Sequence, residues 1–278
     1  MGKQKISIHG LREKKLRGQK ITMVTAYDYP TAALVDRSPI DLILVGDSLG
    51  MVMLGYDGTV PVTMEEMIHH IRPVVRGARN TFIVGDMPFG SYNESISQAI
   101  HNANRIMKEG GADCVKLEGG LSVAPTVKAL VDGGIPVMGH IGLTPQTASL
   151  LGGFKVQGKD AASAERLLAE AVALEEAGAF SIVMECVPTP LAGLISQKLT
   201  IPTIGIGAGV HCDGQVLVYH DLVGLYDRFL PKFVKQYVKL GPEISRALED
   251  FTREVKEGSF PGQEHSFSMD EGLLEKLK

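Results

Sequence analysis

Four acidic residues in this chain each close a short apolar run. Leu42–Val45 leads into Gly46-Asp47-Ser48, Phe82–Gly85 into Asp86, Cys114–Leu117 into Glu118 and Ser181–Met184 into Glu185. Apolar runs of that length, several of them bounded by glycine, read as strands buried on both faces, as in parallel sheets. A carboxylate at the C-terminal tip of such a strand is costly unless it is paired, hydrogen-bonded or bound to a metal. One such acid would read as a capped or solvated loop residue. Four in the same position point to tips that meet and hold a hard cation, because clustered carboxylates without one repel and raise each other's pKa. Asp47, Asp86 and Glu118 offer only oxygen, which suits Mg²⁺ and not structural zinc with its Cys/His sets. Mg²⁺ takes one or two carboxylates directly and keeps several waters, leaving places for a bidentate substrate.

The neighbours of these acids add further chemistry. Lys116 lies two residues before Glu118 and so shares its face of the strand. It reads either as a Schiff-base nucleophile or as a positive charge that stabilises an oxyanion, and three adjacent acids favour the second. His140 ends another apolar run and is either a core histidine or a substrate contact. Glu185 has no metal partner in its own segment and is the candidate general base, with a fourth metal ligand or an ion pair as the alternative. Gly205-Ile206-Gly207-Ala208-Gly209 lacks the dinucleotide-binding spacing and reads as a tight turn before an anion cradle. Phe89 and Tyr92 could stack on a flat ring, although core packing is the commoner fate of such residues.

Positioning these groups requires a particular order of elements. Strands are expected over 21–26, 42–45, 82–86, 114–118, 135–140, 181–185, 202–207 and 215–219, the last tipped by His220-Asp221. Helices are expected over 29–37, from a Thr63/Glu66 capping box to about Ala78, and over 93–110, 123–131, 161–177, 190–198 and 242–257. Residues 1–20 read as a basic amphipathic lead-in and the C-terminus as a polar tail. Eight strands alternating with helices, with no linker between them, predict an α/β chain folded as a single (β/α)8 barrel domain over 1–278. In that architecture catalytic residues sit at the C-terminal ends of strands, where the acids fall.

Composition narrows the partners. A net charge of −4 with no basic block argues against a nucleic-acid partner. Met1–Lys5 lacks the apolar core of a signal peptide and no apolar run reaches about 18 residues, so neither a membrane partner nor secretion is expected, and the cytoplasm is the expected location. Cys114, Cys186 and Cys212, odd in number and far apart, read as reduced thiols that serve as small buried hydrophobes.

Seven stretches make the pattern specific: VGDSLG at 45–50, PVT at 61–63, DMPFGSY at 86–92, KLEGG at 116–120, MGHIGLTPQ at 138–146, ECVP at 185–188 and IPTIGIGAG at 201–209. Together, in this order over about residues 3–265, they resemble the ketopantoate hydroxymethyltransferase family. The resemblance implies a (β/α)8 TIM barrel of the phosphoenolpyruvate/pyruvate-binding superfamily, usually a homodecamer. It also implies Mg²⁺-dependent transfer of a one-carbon unit from 5,10-methylenetetrahydrofolate to 3-methyl-2-oxobutanoate, giving 2-dehydropantoate in pantothenate biosynthesis. By the same resemblance Asp47, Asp86 and Glu118 match metal ligands. Asp47, Ser48, Asp86 and Lys116 match keto-acid contacts, Glu185 the proton acceptor, and His140 a residue lining the same site. Two departures stand out: Gly85 where alanine is usual, and Tyr56-Asp57-Gly58 where His-Asp-Ser is expected. The rival expectation is a metal-dependent lyase or mutase of the same superfamily, acting on a 2-oxo acid without folate.

Overall fold

The structure is a computed structural model, and it describes residues 3–277. Met1 and Gly2, part of the expected lead-in, lie outside the described residues. Eight parallel strands follow one another in chain order around a closed barrel: β1 Ile21–Thr25, β2 Leu42–Val45, β3 Phe82–Asp86, β4 Cys114–Glu118, β5 Val137–Gly142, β6 Ser181–Glu185, β7 Thr203–Ile206 and β8 Gly214–Leu217. β1 pairs with both β2 and β8, which closes the ring. The barrel is the one expected from the alternation of runs.

Period-two alternation divides each strand between two cores. Leu42, Leu44, Phe82, Val84, Cys114 and Met138 belong to a cluster that fills the barrel. Their neighbours Ile43, Val45, Ile83, Val115, Leu117 and Val137 pack outward beneath the helices. This is why the runs are apolar without interruption. The same parity carries the polar residues inward at the strand ends, in the series Phe82–Val84–Asp86, Cys114–Lys116–Glu118, Met138–His140 and Val183–Glu185. The site residues are therefore the next inward steps of the barrel filling.

The lead-in forms a helix, Ile8–Leu16, whose Leu11 joins the interior cluster with the strand starts Ile21 and Leu42 and so closes the N-terminal end of the barrel. The helix Met64–Gly77 opens on the expected capping box: the Thr63 hydroxyl accepts from Glu66 N–H at 3.2 Å and the Glu66 carboxylate accepts from Thr63 N–H at 2.8 Å. The helix expected from Asn93 begins later, at Ile96, because the Ser95 hydroxyl accepts from Gln98 N–H and so caps it there. Its last turn widens into a π-helical turn, Ile106–Gly110, before Gly111 ends it.

Two expectations at the C-terminal end need correction. β8 stops at Leu217, and the chain enters a short helix, Tyr219–Leu222. The Tyr219 N–H goes to the Thr25 hydroxyl at 2.8 Å and not to a strand neighbour, so His220 and Asp221 lie on a helix beyond the strand. The tail also carries a short helix, Glu271–Glu275. The helix expected from Pro242 starts at Leu240, runs to Glu257, buries none of its residues and exposes Ile244, Leu248, Phe251 and Val255 along one stripe.

Gly85, a family departure, is set by packing. A Cβ there would lie 2.6 Å from Ile106 Cγ2 and 3.0 Å from Ile71 Cδ1. Gly85→Ala is expected to lower stability by ~1–3 kcal/mol, the usual cost of overpacking. Removing Ile106 by substitution to alanine should cost less in that background than in the wild type. Urea denaturation of the two single variants and the double variant measures both quantities.

Candidate active site

The seven residues singled out in the sequence, Asp47, Ser48, Asp86, Lys116, Glu118, His140 and Glu185, all line one cavity of about 690 Å³ at the C-terminal ends of the strands. Five of the groups form a chain of contacts. Lys116 Nζ lies 2.8 Å from Asp86 Oδ1, 4.0 Å from Glu118 Oε1 and 3.2 Å from His140 Nδ1. His140 Nδ1 is 3.3 Å from Glu118 Oε1, and its Nε2 is 3.3 Å from Glu185 Oε2. Asp86 Oδ2 accepts a hydrogen bond from Asp47 N–H at 3.0 Å, which ties the β2 and β3 tips together. Ser48 Oγ hydrogen-bonds the Tyr27 hydroxyl at 2.8 Å.

Burial makes the charge balance of this cluster decisive. Asp47, Asp86, Lys116, Glu118 and His140 are each at most 5 % exposed. Burial, reinforced by the charges of Asp86 and Glu118, pushes the Asp47 carboxyl well above the usual carboxylate range. Burial also raises Asp86, against the pull of Lys116. Glu118 is lowered: burial works to raise it, but the hydrogen bond and charge of His140 and the Lys116 ammonium outweigh that. His140 is pushed up to about 9. Burial and Lys116 act to lower it, and the carboxylates of Glu118 and Glu185 on its two nitrogens prevail. Lys116 is raised, its desolvation more than offset by Asp86, Glu118 and Asp47.

A divalent cation fits this donor set. The four carboxyl groups of Asp47, Asp86, Glu118 and Glu185 line the cavity with two basic groups, Lys116 and His140, so acids outnumber bases there by two. Asp86 Oδ1 is buried, with the Lys116 ammonium 2.8 Å away as its counter-charge. Among the described residues no three Asp, Glu, His or Cys side chains are drawn together into a ready-made cage. Mg²⁺ needs none, because it takes few carboxylates and retains its waters.

Local structure aims these groups. Gly142, at φ +93°, has no room for a side chain: a Cβ would lie within van der Waals radius of the Glu185 carbonyl. Its absence lets the ends of β5 and β6 close up, so that Leu143 N–H reaches that carbonyl at 2.8 Å and His140 meets Glu185. Cys186, next in the chain, is the one non-glycine residue at positive φ, +49°, among the described residues. Such strain persists where surrounding structure over-determines it, commonly at functional sites.

Sequence reasoning passed over Gln146. Its Nε2 donates to Asp47 Oδ2 at 2.8 Å and to the Met87 carbonyl at 3.0 Å, and its backbone N–H donates to Glu118 Oε2 at 3.0 Å. One residue thus holds two of the carboxylates. The available signal was a buried-type amide just past a strand tip carrying a histidine, within Leu143-Thr144-Pro145-Gln146. Tyr92 is neither a stacking platform nor purely a packing residue. It is buried and its hydroxyl donates to Gln146 Oε1 at 2.6 Å. Phe89 is half-exposed and outside the cavity lining. In the 205–209 segment Gly205 and Ile206 end β7, and the chain bends only after them, with Gly207 and Gly209 at positive φ. Burial raises the thiols of Cys114, Cys186 and Cys212, the last two to about 11; Cys114 and Cys212 are buried as expected, whereas Cys186 is only half-buried because it follows the β6 tip and lines the cavity. Gln146→Leu should strip partners from Asp47, Met87 and the Tyr92 hydroxyl, costing ~1–3 kcal/mol and weakening Mg²⁺ binding. Chemical denaturation and Mg²⁺ titration of the variant check the two effects.

Comparison with known proteins places this geometry in a family. The sequence model described as ketopantoate hydroxymethyltransferase matches residues 5–263. The chain is 66 % identical over 270 residues to the 3-methyl-2-oxobutanoate hydroxymethyltransferase of Heliobacterium modesticaldum, covering 97 % of this chain and 98 % of that protein. It is 57 % identical over 273 residues to the enzyme of the same name from Carboxydothermus hydrogenoformans, covering 98 % and 99 %. Among solved structures, a phosphonopyruvate hydrolase in complex with oxalate and Mg²⁺ superposes with a TM-score of 0.61 at 14 % identity, covering 95 % of this chain and 93 % of that one. A 2,3-dimethylmalate lyase of the PEP mutase/isocitrate lyase superfamily gives 0.58 at 13 % identity, covering 94 % and 91 %. At such identities the last two speak to the fold alone, whereas the extent of the sequence matches leaves one conclusion: this chain belongs to the ketopantoate hydroxymethyltransferase family.

Proposed function

We propose that this protein transfers a hydroxymethyl group from 5,10-methylenetetrahydrofolate to 3-methyl-2-oxobutanoate with the aid of Mg²⁺, giving 2-dehydropantoate and tetrahydrofolate in pantothenate biosynthesis. Family membership supports the reaction. The observation that carries the chemistry is the contact of His140 with Glu185 and Glu118 beside the excess negative charge of Asp47 and Asp86, in one cavity.

In this reading Asp47, Asp86 and Glu118 would hold the metal. When bound, Mg²⁺ supplies Lewis acidity that makes the C3 proton of a 2-oxo acid easier to remove. Glu185 is the base for that proton. It is the least buried of the four carboxylates, with its side chain 16 % exposed, and His140 Nε2 lies 3.3 Å from its Oε2. Lys116 and the protonated His140 put two positive charges beside the oxygen where negative charge develops. Ser48, held by Tyr27, offers a hydroxyl to the substrate carboxylate.

The overall conversion consumes one water. C3 gains the methylene carbon and loses its proton, both donor C–N bonds break, and the water oxygen becomes the new hydroxyl. Of the three protons released, two go to the folate nitrogens and one to that hydroxyl. A homo-oligomeric state, a decamer by family resemblance, and a cytoplasmic location belong to the same proposal. Among the described residues no helix is long and apolar enough to cross a membrane.

In D₂O, C3 of 3-methyl-2-oxobutanoate is expected to exchange with solvent when Mg²⁺ is present and folate is not. Glu185→Gln should slow that exchange by about 10²-fold or more while still binding Mg²⁺, and unimpaired exchange would remove Glu185 from the role of base. Asp47→Ala and Asp86→Ala should each lose Mg²⁺ binding together with exchange, as followed by NMR and metal titration. Release of tetrahydrofolate on mixing both substrates separates this reaction from that of a lyase or mutase.

A further inference from the structure

The cavity has two unlike halves. Asp47, Asp86, Lys116, Glu118, His140 and Glu185 come from the β2–β6 arc, and a five-carbon oxo acid needs little more than that arc. The whole cavity, about 690 Å³, falls within the range that encloses drug-sized ligands. The remaining arc, β7, β8 and β1, is lined by Ile206, Val216, Val218 and Thr25, with a single acid, Asp221. Asp221 lies in the short helix after β8, and its charge reaches the Tyr27 hydroxyl that holds Ser48, so the acid borders the β1–β2 side of the metal-site arc.

Asp221 is 8 % exposed, and among the described residues no donor and no cation is paired with its carboxylate. Burial alone pushes it up to about 6. A desolvated carboxylate without partners is costly, and this one borders open space. Beside it Tyr226, Phe229 and Phe233 line the mouth, with Phe154 also contributing. Phe229 and Phe154 are 65 % and 59 % exposed, large apolar rings left facing water. Phe233 is seated against Gly207, where a Cβ would lie 2.7 Å from its Cδ1, so the glycine turn shapes this wall. Lys232 adds a cation at the same rim.

We infer that Asp221 is the recognition group for the pterin ring of the folate donor, accepting hydrogen bonds from its 2-amino group and N3–H while the aromatic wall covers the ring. This rests on the reading of the folate as donor. Two parallel N–H groups on a planar edge match the two oxygens of one carboxylate, the geometry that makes guanidinium–carboxylate pairs specific. Flat rings pack well against aromatic faces. Lys232 stands where the anionic glutamyl end of the donor would leave the cavity.

The test compares tetrahydrofolate with its 2-desamino-2-methyl analogue by calorimetric titration of the full chain, wild type and Asp221→Asn. The wild type should prefer tetrahydrofolate by about tenfold or more, the worth of one hydrogen bond to a charged acceptor. In Asp221→Asn that preference should fall to about threefold or less, and the loss in tetrahydrofolate affinity should exceed any loss in 3-methyl-2-oxobutanoate affinity by about tenfold. A wild type without the preference overturns the inference whether or not the variant folds. An undiminished preference in Asp221→Asn, or an equal loss of oxo-acid affinity, also overturns it. Failure of the wild type to bind tetrahydrofolate at all, with C3 exchange intact, removes the folate donor itself and the inference with it.

Discussion

Negative charge held out of water at one end of an apolar barrel is the constraint around which this molecule is organised. Four carboxylates against two cations leave a surplus that is poorly solvated, and the strain falls on Asp47 and Asp86, whose carboxyls are both pushed up. At low dielectric such repulsion is strong. It can be relieved by protonation or by a divalent ion, and only the second leaves the carboxylates available as ligands. Stability and function therefore pull against each other here, as is usual for a preorganised site.

The scaffold keeps that cluster in place with short, rigid connections. Each participating side chain but Asp47 and Ser48 sits on a strand, fixed by inward parity, and those two follow β2 directly. Gln146, on the short turn after β5, then ties the β2 and β4 acids to each other and to the Tyr92 hydroxyl. An apolar side chain at 146 would leave several buried polar atoms without partners. The cleft is thus supported by a second layer of hydrogen bonds that reaches across the ring, and rigidity of this kind keeps a reacting geometry within tolerance.

The opposite half of the mouth follows a different logic. Its walls are apolar and aromatic, its one carboxylate stands alone, and the 226–233 segment that covers it follows the last strand instead of joining two strands. On the proposed function, a polar half that activates a small acid and a flat-walled half that grips a larger ring would together make a bisubstrate cleft. The oxo acid would lie against the strands and the donor against the loop. Polar chemistry is carried by the rigid part and recognition by the part free to vary, the usual division in barrels of this class.

Much of this was legible in the chain itself. Eight short apolar runs, four of them closed by acids, identified the strands and their number, because a strand buried on both faces admits few other residues. Parity put Lys116 and Glu118 on one face, and position at the strand tips put His140 and Glu185 near them. The resemblance of seven motifs to one family suggested the roles proposed for them. What the chain left open depended on contacts between distant segments. The end of β8 was misjudged because Val218 and Tyr219 suit a strand, and only the Thr25 hydroxyl, far away in sequence, takes the Tyr219 N–H and turns the backbone. Gln146 stood only as the last residue of the 138–146 motif, and its part in the site depends on folding that brings Asp47 and Glu118 to it. Asp221 looked like the tip of a strand, and its isolation among apolar walls is visible only in three dimensions. Local pattern determines what each segment becomes and which way its side chains point. Partners, charge balance and the shape of the cleft are pairwise properties, and they exist only once the ring has closed.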